Sequence, residues 1–288
     1  MELECRGCAG CCIDWRPLAP VAEHERGGPV TPLDDTYNLV PLTRIDVLDL
    51  LDAGYASAMT PRLWEAEEGH GVTIGEHRLA AIEGRPAFFL GLRTVPKPVD
   101  PFETDPEWLP TCVFLDPETL QCRIHDREEY PSECEVYPGH NLTLGAETEC
   151  ERVEAHFGGD RLLDDEPPAE EYRPRLGQQA IGYTVFAYPA AYAEDFSAVV
   201  DRITEDELRR ADHAAFVAAA AASAPGTTAI EEHRFEETLE RVKTADSWVG
   251  EALEEWEARA ETREPDPSQA AAVEDARGAP ETPGWPPD

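Results

Sequence analysis

Apolar residues recur three and four positions apart through the second half of this chain and follow other rules in the first half. Phe235, Leu239 and Val242 form one stripe, and Trp248, Leu253 and Trp256 a looser one. Residues 191–222 and 233–261 are therefore predicted as helices that turn these side chains into a core. Earlier, Thr43 precedes a short run with Ile45, Leu48, Leu50 and Leu51 that Gly54 closes, the pattern of a capped helix. HRLAAIEGRPAFFLGLR (77–93) predicts two strands around an EGRP turn. KPVDPFETDPEWLP (97–110) predicts a proline-rich loop, and DDEPPAEEYRP (164–174) a join between two parts. From about residue 263 the chain is rich in Pro, Ala and acids, a composition that predicts a disordered tail.

All eight cysteines lie between Cys5 and Cys150, and that asymmetry sets the predicted organisation. A cysteine-bearing part spans 1–163, a linker 164–174, a helical region 175–262 and a disordered acidic tail 263–288. The expected class is α+β: a small, loop-rich, metal-stabilised cysteine domain with short strands and hairpins, followed by helices.

The first of these cysteines sit in CRGCAGCC (5–12). CRGC and CAGC each place Cys at the ends of a four-residue turn, with Gly7 and Gly10 where a type II turn needs positive φ. Two such turns would bring Cys5, Cys8 and Cys11 to one locus, the local chemistry of a metal knuckle. Cys12 follows Cys11 directly, and successive side chains of extended backbone point to opposite sides. The pair therefore predicts two sites, or one polynuclear centre gripped from two directions. Further on, Cys112 and Cys122 flank DPET. A hairpin centred on Pro117 would set them across from each other, with Cβ atoms about 4.5–5.5 Å apart. His125 would then fall on the opposite face. Cys134 follows Pro131, a good opening residue for a helical turn, Cys150 lies near a second helix start, and His140 reads as a loop histidine.

Charge narrows the function classes. Sixty Asp and Glu stand against 24 Lys and Arg, a net charge of −36, and Lys97 and Lys243 are the only lysines. Such a surface repels nucleic acid and anionic lipid, so neither is expected as a partner. Acids spread along the whole chain fit a protein that works in molar salt, where charges are screened over a few ångströms. The start, MELEC, lacks a basic region followed by an apolar run, and the tract FVAAAAA (216–222) is too short to span a bilayer. A cytoplasmic, reducing location is expected, where stable disulfides are rare.

CRGCAGCC, then CVFLDPETLQC with RIHDRE, then a cysteine before Tyr137 and Pro138, resembles the YkgJ family of cysteine cluster proteins, described as a zinc- or iron-chelating domain with a CxxCxxCC signature. The resemblance covers about residues 1–156; EEY between Arg127 and Pro131 departs from its pattern. It implies a metal-binding protein in which Cys5, Cys8, Cys11, Cys12, Cys112, Cys122, Cys134 and Cys150 chelate zinc or iron, the latter as an iron–sulfur cluster in one version. Arg6, Arg16 and Arg123 would donate to the sulfurs. The related flagellin lysine N-methylases make an iron–sulfur-dependent protein-modifying enzyme an alternative. A thiol–disulfide redox protein using Cys11 and Cys12 is the other. No glycine-rich phosphate loop, nucleophile elbow or HExxH supports hydrolase or nucleotide chemistry.

Overall fold

The computed structural model describes residues 2–19, 31–67, 69–164, 166–167, 177–190, 196–205 and 207–284. It is a mixed α/β fold of short antiparallel sheets and helices. The chain opens with β1 (Glu2–Leu3), then α1 (Arg44–Asp52) and β2 (Met59–Leu63). The strands β3 (Val72–Ile74), β4 (His77–Leu79), β5 (Ala81–Ile82) and β6 (Arg85–Leu92) follow. Glu83 and Gly84, both at positive φ, make the tight turn expected from EGRP. In α1, Thr43 and Asp46 form a reciprocal capping box, Asp46 N–H donating to Thr43 Oγ1 at 3.1 Å. The helix buries Val47, Leu50 and Leu51, whereas Ile45 faces solvent.

The segment expected as a loop at 97–110 is instead mostly sheet. β7 (Thr94–Val99) pairs antiparallel with β8 (Glu107–Cys112), with Pro96 opposite Pro110 and Pro98 opposite Trp108. A proline whose nitrogen points away from the partner strand withholds no hydrogen bond from the ladder. β9 (Leu115–Asp116) and β10 (Gln121–Cys122) form a small hairpin, α2 (Ser132–Val136), α3 (Gly139–Leu144) and α4 (Glu149–Phe157) follow, and β11 (Leu162–Asp164) pairs with β1. His140 thus lies in α3, its Nδ1 2.5 Å from Glu133 Oε1, rather than in a loop. The join expected at 164–174 falls largely outside the described residues.

β12 (Phe186–Ala187) completes the sheet β12–β6–β2. The helices α5 (Phe196–Thr204), α6 (Arg210–Ala222), α7 (Glu232–Thr244) and α8 (Trp248–Ala260) come next. Phe235, Leu239, Val242, Trp248, Leu253 and Trp256 are all buried, as their spacing predicts. One apolar cluster runs from Ile13 and Trp15 through Phe88 and Phe216 to Val273. Cysteine-bearing and helical segments share it. The small alanine side chains of α6 allow close approach, and the helix packs against α7 and against β2 and β6.

The acidic tail does not match its expected disorder. α9 (Ala270–Val273) docks with Ala270 and Val273 buried, and the next residue, Glu274, is fully buried. Glu274 accepts from Trp256 Nε1 at 2.9 Å and pairs with Lys97 Nζ at 2.6 Å and Arg123 Nε at 2.7 Å. Composition alone misleads here because three of the tail's residues make buried contacts that its many exposed acids conceal. Arg123 also reaches Asp116 and Asp275, and Thr282 donates to Asp116 Oδ2 at 2.5 Å.

His213 on α6 is buried, with Nε2 2.9 Å from the Met59 carbonyl oxygen. Burial, with Arg93 nearby, lowers it to about 3. Its folded value lies below that of the unfolded chain, about 6.5. The unfolded chain therefore binds the extra proton between those values, and stability falls as pH drops below about 6.5. From pH 7 to pH 5 this one group should cost about 2 kcal/mol. Chemical denaturation at the two pH values tests it: His213→Gln should flatten the acid slope by that amount, and an unchanged slope would contradict it.

Candidate functional site

The segment carrying Cys5 to Cys12 is held by three neighbours. Asn38, itself at φ 52°, donates from Nδ2 to the carbonyls of Gly10 at 2.9 Å and Ile13 at 3.2 Å. Ile13 bridges Thr111 on β8, and Cys112 N–H donates to the Cys12 carbonyl at 2.7 Å. Arg161, next to β11, anchors the other end, since Glu4 N–H donates to its carbonyl at 2.8 Å. The fold thus brings the amino-terminal cysteines against the end of β8.

The first turn forms as its sequence predicts: Cys8 N–H donates to the Cys5 carbonyl at 3.1 Å, with Gly7 at φ +68°. The second closes one residue late, from Cys12 N–H to the Ala9 carbonyl at 2.8 Å, and the positive φ falls on Ala9 rather than Gly10. Gly10 is glycine for space: a Cβ there would lie 2.7 Å from Val153 Cγ2. The late closure separates Cys11 from the knuckle geometry of Cys5 and Cys8. The later hairpin also shifts. Cys122 faces Leu115, while Cys112, at the end of β8, faces Thr94 in the other ribbon.

These two shifts remove the arrangement that ligation needs. Among the described residues no group of three or more His, Cys, Asp or Glu side chains is arranged to hold a metal ion. The expected zinc or iron site, its iron–sulfur version, the metal-stabilised domain and the metal ion as partner are all corrected by this finding. Two of the three arginines expected to donate to sulfur serve carboxylates instead: Arg16 pairs with Asp14 at 2.6 Å and Arg123 with the buried Glu274 at 2.7 Å. His125 lies exposed at 3.1 Å from Asp126.

What the fold does gather is thiols. All eight cysteines are free. Cys112 belongs to the apolar cluster, and Cys8, Cys12, Cys122 and Cys134 pack against it as small apolar groups. Cys134 sits on α2 and Cys150 in the first turn of α4, which opens with a Thr148–Glu151 capping box. At the centre, Cys11 Sγ and Cys12 Sγ are 3.8 Å apart. The hydrogen bond from Cys12, aided by the Cys11 backbone amide, overcomes burial and the Glu149 charge and holds Cys11 below the usual thiol range. The other seven move up. Burial pushes Cys5 and Cys122 to about 12, and Cys8, Cys112, Cys134 and Cys150 also rise chiefly through burial. Cys12 rises chiefly because it donates to Cys11. The negative charge of Cys11 contributes to every one of these seven shifts.

No spacing in the sequence points to Glu149 or Arg161. Glu149 is buried and accepts from Trp15 Nε1 at 3.0 Å, Tyr37 hydroxyl at 2.8 Å and Arg152 Nη1 at 2.6 Å. Its partners lie more than a hundred residues away or in a helix whose charges look like surface, so spacing could not reveal it. The charge of Arg161 offsets part of the rise that burial gives the Cys8 thiol. A groove of about 1020 Å³ lies elsewhere, between Arg85, Thr228 and Glu236, and contains no cysteine.

Fold and site together define a mixed α/β protein with a cluster of free thiols at the edge of its core. The chain belongs to a family of unknown function (DUF7531), whose sequence profile matches residues 1–286. That assignment replaces the resemblance to the YkgJ family. No curated protein and no solved structure matches the chain. Among the described residues no helix is long and apolar enough to cross a membrane.

Proposed function

We propose that the chain is a thiol–disulfide exchange protein in which Cys11 is the attacking thiolate. One observation carries this reading: Cys11 Sγ lies 3.8 Å from Cys12 Sγ, close enough for one thiol to donate to the other's thiolate, and the pairing favours the charge on Cys11. Exchange needs that asymmetry, because the thiolate is the nucleophile and a protonated neighbour is spared until its turn. The Cys11 thiolate attacks one sulfur of a low-molecular-weight disulfide, forms a mixed disulfide and releases one thiolate. The disulfide is reduced and the protein sulfur oxidised. A second protein thiol then loses its proton, attacks Cys11 and releases the remaining half.

Cys12 serves as the hydrogen-bond donor and not as that second thiol. Neighbouring Cα atoms are about 3.8 Å apart, short of the roughly 4.4–6.8 Å that disulfides span. A reducing cytoplasm suits such a cycle, since the thiols must be restored after each turn.

The test counts free thiols after exposure to glutathione disulfide in concentrated KCl, then again after reduction. A loss of thiols in pairs, with full recovery, is the expected result. An unchanged count would contradict the proposal.

A further inference from the structure

Cys11 and Cys12 are neighbours in sequence, and in extended backbone their side chains would point apart. Here they end the turn that Cys12 N–H closes onto the Ala9 carbonyl at 2.8 Å, and their sulfurs stand 3.8 Å apart. The dipeptide is held from both sides. Cys112 N–H donates to the Cys12 carbonyl at 2.7 Å, and Asn38 Nδ2 donates to the carbonyls of Gly10 at 2.9 Å and Ile13 at 3.2 Å. Both thiols are free and half-buried, so neither is sealed from solvent.

A direct bond between the two sulfurs fits this geometry poorly. A disulfide needs its sulfurs about 2.05 Å apart and its Cα atoms roughly 4.4–6.8 Å apart, whereas a trans peptide fixes adjacent Cα atoms at about 3.8 Å. A single atom bonded to each sulfur fits better, because it enlarges the closed ring and spans a gap nearly twice the length of an S–S bond. Trivalent arsenic is such an atom. It is soft, it prefers sulfur to oxygen, and its pyramidal bonds lie near right angles, which sets two bonded sulfurs close to contact. When its third bond goes to carbon it needs two protein sulfurs and no more. Two is what the fold supplies. Among the described residues no group of three or more His, Cys, Asp or Glu side chains is arranged around a metal ion, and the Cys11–Cys12 contact is the one sulfur–sulfur hydrogen-bond contact. An organoarsenical of this type is uncharged near neutral pH, so the net charge of −36 does not repel it.

We propose that Cys11 and Cys12 form a two-sulfur site for a trivalent organoarsenical, RAs(OH)2, held through both sulfurs at once. Each thiol gives its proton to a departing hydroxide. Two As–O bonds are replaced by two As–S bonds, and two waters leave. Arsenic stays trivalent and no sulfur is oxidised. The second bond forms within one molecule, which multiplies the affinity of a single As–S bond by about 10²–10⁴. The site depends on the nearness of two sulfurs and goes beyond the exchange reading, which it does not require.

Reduced full-length protein in concentrated KCl would be given phenylarsine oxide, with glutathione present as a competing monothiol, and read by mass spectrometry and a thiol count. The wild type should hold one phenylarsenic per chain and lose two of its eight free thiols. Added 2,3-dimercaptopropanol should restore both. When the complex is unfolded in denaturant and treated with N-ethylmaleimide, Cys11 and Cys12 should escape labelling while the other cysteines react; this readout needs no variant to fold. Cys11→Ser and Cys12→Ser should each weaken retention at least about a hundredfold, the advantage of the second bond. Cys5→Ser and Cys8→Ser should bind as the wild type does. Wild-type retention in Cys12→Ser, protection of any other pair of cysteines, or loss of the arsenical to glutathione would overturn the site. None of these results touches exchange at Cys11, where Cys12 acts only as a donor. Arsenical bound at Cys11 and Cys12 in a protein that forms no mixed disulfide would overturn exchange alone.

Discussion

Replacing Cys11 with serine should slow the reaction with small disulfides at least about a hundredfold, although seven other thiols remain. Exchange rates follow the thiolate fraction, and those seven sulfurs are raised by burial as well as by the charge of Cys11. Serine removes the charge and leaves the burial. The relief is therefore partial, and the remaining thiols stay largely protonated at neutral pH. Cys5→Ser is the informative control, because Cys5 is the exposed cysteine of the eight. If accessibility governed the reaction, Cys5→Ser would be the slower variant. Stopped-flow release of the small thiol distinguishes the two, and equal rates for Cys11→Ser and the wild type would contradict the assignment.

Glu274→Ala should destabilise the protein by about 3–5 kcal/mol, a large share of the roughly 5–15 kcal/mol that keeps a domain folded. The carboxylate is fully buried between Lys97 and Arg123, themselves almost without exposure. Removing it takes from buried Lys97 the carboxylate it pairs with, leaves Arg123 to Asp116 and Asp275, and deprives Trp256 Nε1 of its acceptor. Glu274→Gln keeps an acceptor for the indole and should cost less. Because the group is out of solvent, molar salt should not erase the loss, unlike that of a surface pair. Denaturant unfolding in dilute and concentrated KCl measures both. A change within about 0.5 kcal/mol would mean that the tail docks through α9 alone.

Local chemistry was legible in the sequence wherever it depended on near neighbours. The Thr43 cap, the Glu83–Gly84 turn, the turn over Cys5–Cys8 and the buried stripes of α7 and α8 all follow from spacings of a few residues. Pairings set at longer range did not read correctly. The prolines of 97–110 look like a loop until Pro96 is seen opposite Pro110, and Pro98 opposite Trp108, in the β7–β8 pairing. The hairpin after Cys112 closes so that Cys122 faces Leu115, and the turn after Cys8 slips to Cys12. Each is a displacement of a few residues, yet together they turn an expected chelating site into a cluster of thiols. The approach of the amino-terminal cysteines to the end of β8 rests on the Ile13–Thr111 bridge and the Cys112 N–H bond to Cys12, which no local spacing announces. The close approach of Cys12 to Cys11 and the buried Glu149 beside them depend on tertiary geometry.

Alkylation of the reduced protein probes the acidity of Cys11 most directly. Brief labelling with iodoacetamide near neutral pH, followed by mass-spectrometric mapping, ranks the eight cysteines by thiolate content and access. The account predicts that Cys11 is labelled first, ahead of the more exposed Cys5. Labelling of Cys5 first, with Cys11 left intact, would contradict it.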